Sequence, residues 1–141
     1  MAGTITGVLT RVQTQQGRPQ VAKLVLTCVG DASDGGFPAT ILNDLQTSFR
    51  LEGLQFYSIK VIPGTTTPTD ASDLTITDEY GVDLLGGKGT NLISATLKTW
   101  ALFGPAGYSV SALITGDTTI TITGNSVHSA TFTIIIELIG V

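Results

Sequence analysis

The run TTITITGNSVHSATFTIIIELI, residues 118–139, decides how the chain is read. From Thr118 to Thr123, threonine alternates with Ile120 and Ile122. A period of two residues puts one face of a strand into a core and leaves the other to solvent. Gly124-Asn125-Ser126 is a turn by composition. Val127 to Ile139 is expected to be a long final strand in which Glu137 is the only carboxylate. β-Branched residues dominate throughout, and they suit a pleated surface better than a helix.

The same pattern extends toward the N-terminus. Thr4 to Val12 and Gln20 to Val29 read as a hairpin joined by a turn over Gln15–Pro19. Residues 30–36 form a loop, Leu54 to Ile62 a strand, and residues 63–70 a proline- and threonine-rich loop. Leu74 to Thr77 alternates, and Asp78-Glu79-Tyr80-Gly81 turns the chain. Leu92 to Phe103 reads as strand or helix, residues 104–107 break it, and Tyr108 to Thr115 is a strand ended by Gly116-Asp117. Residues 39–48 are the one plausible short helix, with Leu42, Leu45 and Gln46 on one face. Short strands with frequent turns, and no helix-length segments between them, give an all-β, antiparallel fold. The expectation is a single domain over residues 1–141, a β-sandwich, jelly-roll-like or β-barrel-like, with residues 2–12 as an N-terminal arm or edge strand.

Composition narrows the function. Charged residues make up 13% of the 141, about half the roughly 25% of ordinary soluble domains. Threonine is used 23 times and the net charge is −4. Seven Lys+Arg against eleven Asp+Glu leave no basic footprint for nucleic acid. One cysteine and one histidine exclude an intrachain disulfide and a Cys- or His-based metal cage. The long uncharged stretches, Thr99–Gly116 and Thr118–Ile136, are broken by glycine, proline and polar residues, so no membrane helix is expected. The N-terminus lacks a charged segment followed by an apolar one, so synthesis in the cytoplasm is expected. Cys28 reads as a small buried hydrophobe.

Few residues suggest chemistry. His128 is the sole candidate base and is expected in a strand beside a turn; no G-x-S-x-G surrounds a serine. Asp70, Asp73, Asp78 and Asp83 invite a calcium site, but they do not follow the Asp-x-Asp-x-Asp-Gly order. Aspartates in turns also bond their own backbone, and that is the expected role. Gly86-Gly87-Lys88-Gly89-Thr90 lacks the order of a phosphate loop. Its glycines call instead for positive φ or close backbone approach. No catalytic, cofactor or metal residue is assigned.

Residues 68–91, PTDASDLTITDEYGVDLLGGKGTN, resemble a motif in small virion-associated proteins of tailed phages and prophages. That pattern runs P-T-D-x-Y-D-hydrophobic-T-hydrophobic-x-D-x-x-G-x-D-x-L-G-G-x-G-x-N. Asp70, Asp73, Asp78, Gly81, Asp83, Gly86, Gly87 and Asn91 carry the match. The chain departs from it at Ser72, where the family usually has tyrosine, which removes an aromatic contact. Gly116 to Ile139 is similar to the family's closing hairpin. The resemblance implies a β-sandwich or jelly-roll-like virion protein, often multimeric.

The strands after Lys98 are charge-poor, where edge strands ordinarily carry charge. They are expected to be core and subunit contact. The leading expectation is a capsid decoration (cement) protein, a homotrimer bound to the major capsid protein of a tailed phage. In that role the 30–38 and 63–73 loops would be capsid-facing tips. A tail, neck or fibre-attachment component of the virion is the second reading. A small carbohydrate-binding or enzymatic sandwich is the third, and nine aromatics would have to serve both core and site.

Overall fold

The computed structural model describes residues 3–13, 21–45, 51–102 and 113–140. Among the described residues, eight strands run β1 (Thr4–Gln13), β2 (Val21–Val29), β3 (Thr40–Ile41), β4 (Leu54–Pro63), β5 (Asp73–Thr77), β6 (Thr99–Leu102), β7 (Thr119–Thr123) and β8 (Thr131–Gly140). They form a five-stranded sheet in the order β1-β2-β8-β4-β6 and a three-stranded sheet in the order β3-β7-β5. All strand pairings are antiparallel. The fold is all-β and sandwich-like, as the alternation predicts.

β8 sits at the centre of the larger sheet, between β2 and β4. Its burial alternates strictly, with Phe132, Ile134, Ile136 and Leu138 inside. They meet Leu24, Leu26, Phe56 and Ile59 of the neighbouring strands and Leu74, Ile76, Ile120 and Ile122 of the smaller sheet in one core. Burying such a side chain is worth about 1.5–3 kcal/mol. Ten or more of them at full burial dominate the stability of a domain this small.

Five expectations are corrected. β7 and β8 belong to different sheets, so residues 116–139 are a crossover between layers and not a hairpin. The last strand starts at Thr131 because Asn125 and the positive φ of Ser129 fold residues 124–130 into a connection. His128 therefore lies exposed in that turn, outside any strand. Over 39–45, the described part of the expected 39–48 helix, stand β3 and a 3-10 turn, Leu42–Asp44. Ile41 before it is extended and supplies no side-chain cap, while Asn43 bonds outward to Gly116 and Thr118. Of 92–103, the described part is strand only over Thr99–Leu102.

The described parts of the 4–12 and 20–29 segments, β1 and β2, pair antiparallel, and β1 ends the sheet order as an edge strand. The described part of the 108–115 strand is a bridge from Leu113 to Gln55, with Ile114 bonded to the Gly53 and Leu54 backbone. Its first residues, the 15–19 turn, residues 46–48, Phe103 and the 104–107 breaker lie outside the described residues.

Candidate functional site

The aspartates of residues 68–91 act as backbone acceptors. Asp78 Oδ1 takes the N–H groups of Tyr80 and Val82, both at 2.9 Å. Asp83 Oδ1 takes those of Leu85 at 3.1 Å and Ile76 at 3.4 Å, and its Oδ2 that of Gly87 at 2.9 Å. Asp73 Oδ1 accepts from Asn91 N at 2.8 Å, and Asp70 Oδ1 from Ala95 N at 3.0 Å. The four carboxylates are spread along β5 and its flanking loop. Among the described residues, no three His, Cys, Asp or Glu side chains gather where a metal ion could be held.

These bonds lay residues 83–93 along the outer edge of β5. Leu84 N donates to Ile76 O, Leu74 N to Gly89 O, and Ser72 and Ile93 exchange both backbone bonds. An edge strand left bare would be a template for unwanted pairing. Here the motif covers it and buries Leu84, Leu85, Leu92 and Ile93 in the process. The glycines do two jobs. Gly86 and Gly87 have φ of 59° and 81°, whereas a Cβ at Gly89 would run into the Leu74 carbonyl. Gly81 (φ 81°) and Asn91 (φ 58°) complete the turns. Ser72, where a tyrosine was expected from the resemblance, is buried, and its hydroxyl donates to Thr69 O at 2.6 Å. A Cβ added at Gly124 would meet the Ser72 Cα at 3.5 Å.

At one end of the sandwich, Asn125 ties three loops together. Its Oδ1 accepts Thr69 N at 2.8 Å, and its Nδ2 donates to Gly35 O at 2.7 Å and Val127 O at 3.1 Å. Asp31 holds the first loop closed by accepting Ser33 N and Oγ, and these bonds lower its pKa. Phe37 stacks edge-on against Phe132 beneath them, with ring centroids 5.2 Å apart. The 30–38, 63–73 and 124–130 loops thus form one braced end. Sequence reasoning placed Asn125 in a turn but missed its role as a clamp.

The outer face of the five-stranded sheet is the third feature. Strand register lines up Val8, Val25, Ile135, Lys60 and Trp100 in one row that crosses all five strands. Val8 is 61% exposed and Trp100 64%. The next row carries Lys23, Glu137 and Ser58. Glu137 Oε1 accepts Lys60 Nζ at 2.7 Å and Ser58 Oγ at 2.5 Å, and the two bonds, with Lys23 nearby, lower its pKa. Beside them, Val21, Tyr57, Glu137, Leu138 and Ile139 line a shallow depression of about 290 Å³. The signal for this face was the run Ile134-Ile135-Ile136, which makes a central strand apolar on both sides.

Comparison of the chain with protein-family models, with curated proteins and with solved structures returned no match.

Proposed function

We propose that this chain is a non-catalytic structural protein of a tailed-phage particle that decorates the head. It acts as a homo-oligomer bound to the major capsid protein. The observation that carries the reading is the outer face of the five-stranded sheet. Among the described residues, register places Lys23, Lys60 and Glu137 as its charged side chains, amid valine, isoleucine, threonine and tryptophan. An antiparallel sheet facing water normally turns polar residues outward, and exposed apolar patches mark interaction surfaces. The motif over residues 68–91 supports the same class, as a brace for a rigid sandwich and not as a reaction centre.

The mechanism is binding alone. The braced loops at 30–38 and 63–73 face the shell, held in shape by Asn125 so that little freedom is lost on contact. Several copies in one oligomer engage neighbouring shell subunits together, and their contacts add through effective concentration. Shell subunits so bridged resist separation under internal pressure. Sedimentation with undecorated heads tests this. The chain is expected to pellet with heads and to stay soluble without them. Pelleting with isolated tails but not heads would move it to the tail, and binding to glycans alone would make it a carbohydrate-binding sandwich.

A further inference from the structure

We infer that the outer face of the five-stranded sheet is covered by a second copy of this chain, packed face to face about a two-fold axis parallel to β8. The inference rests on the homo-oligomer part of the proposed function and assigns its contact. The trimer expected from the sequence gives way here to a two-fold pair, for three reasons.

The first reason is the symmetry of the exposed row. Ile135 lies on the middle strand, with Val8 two strands away on one side and Trp100 two strands away on the other. A two-fold axis along β8 sets the Trp100 of each copy over the Val8 of the other and Ile135 over Ile135. The largest exposed side chain of the face thus meets its smallest exposed apolar one, twice. An isologous contact demands such self-complementarity. The second reason is charge. Lys60 and Glu137 are already paired within one sheet at 2.7 Å. The same axis sets Glu137 over Glu137, but each carboxylate is held by its own Lys60 and has the Lys23 of both copies in the neighbouring positions of its row, so four cations attend two anions.

The third reason is area. The five strands contain 10, 9, 10, 10 and 4 residues. At ordinary strand spacing they present a face of roughly 700 Å². A stable interface of standard size takes about 800 Å² from each partner. Two sheets so joined pack about 10 Å apart with strands within about 30° of each other, as in other sandwiches.

Trp100 is the single tryptophan of the chain, so it reports on this contact directly. The full chain is examined by native mass spectrometry and by acrylamide quenching of tryptophan emission over a dilution series. The expected result is a dimer whose emission is blue-shifted and shielded, turning red-shifted and quenchable on dilution. Val8→Lys, at an exposed position, is expected to keep the circular dichroism of the wild type. It should raise the dissociation constant at least about thirtyfold, because each dimer loses the seat of both Trp100 side chains. Trp100→Ala, read by mass alone, gives the same outcome without relying on Val8. A monomer at every concentration overturns the inference, as does a trimer or a Val8→Lys dimer as tight as wild type. Shielding of Trp100 that appears only when heads are added also overturns it, and gives the face to the shell protein while the decoration reading stands. A dimer that ignores heads keeps the inference and removes that reading.

Discussion

Asp83 concentrates more structural duty in one side chain than any other residue of the 68–91 motif. Its two oxygens hold three backbone N–H groups, from Ile76, Leu85 and Gly87. An alanine there orphans all three and removes a charged acceptor, so Asp83→Ala should cost about 2–3 kcal/mol in urea unfolding. Asp70→Ala, which frees one N–H at an exposed position, should cost about 1 kcal/mol or less. Glu137 sets a pH dependence. Lys60 and Ser58 hold its carboxyl below the ordinary 4.5 of a glutamate. A depressed pKa contributes stability that is present above 4.5 and lost as pH falls through the folded value. The pair is substantially exposed, so Glu137→Gln should lose only about 0.5–1 kcal/mol at neutral pH. Wild type and variant should converge in thermal melts well below pH 4.5. Cys28 is fully buried, and burial pushes its thiol up to about 12. It should not react with a disulfide reagent in the native state and should react fully on unfolding.

Elements were legible in the sequence wherever alternation alone sets them. β2, β4, β5 and β7 fall within a residue or so of their expected bounds, because one side of each faces the core and a slip would expose it. What local pattern does not carry is the partner of a strand. Thr119–Thr123 and the final strand look like a hairpin, yet a side chain 90 residues from its acceptor redirects the link, through Asn125 Nδ2 on Gly35 O. The 39–48 helix failed for a similar reason: Asn43 spends its amide on Gly116 and Thr118 and not on its own turn. The glycines of the motif were legible as special positions, but their separate reasons were not. Gly89→Ala must push the Leu74 carbonyl away and break the cover of β5, and should cost more than about 2 kcal/mol in chemical denaturation. Gly86→Ala meets no atom, only a positive φ, and should cost about 1 kcal/mol.

Across the whole molecule, the scarcity of charge resolves into two surfaces. One is the core, where Ile120, Ile122, Ile134 and Ile136 are buried. The other is the outside of the larger sheet, where Trp100 and Val8 stand in solvent in the single chain. The sandwich itself is braced against rearrangement by Asp83, Asn125 and the covered edge of β5, which suits a part that must hold its shape while its surfaces are occupied. The aspartate motif bonds its own backbone, as its turn composition suggests, and serves as the brace. The central claim of the proposal is that the chain is part of a phage head. Electron cryomicroscopy of intact particles, with this chain's fold fitted to the density, tests it most directly. The account predicts the sandwich on the outer surface of the head, at junctions between shell subunits, with its 30–38 and 63–73 loops toward the shell. Density for it on the tail alone, or nowhere on the particle, would contradict the account.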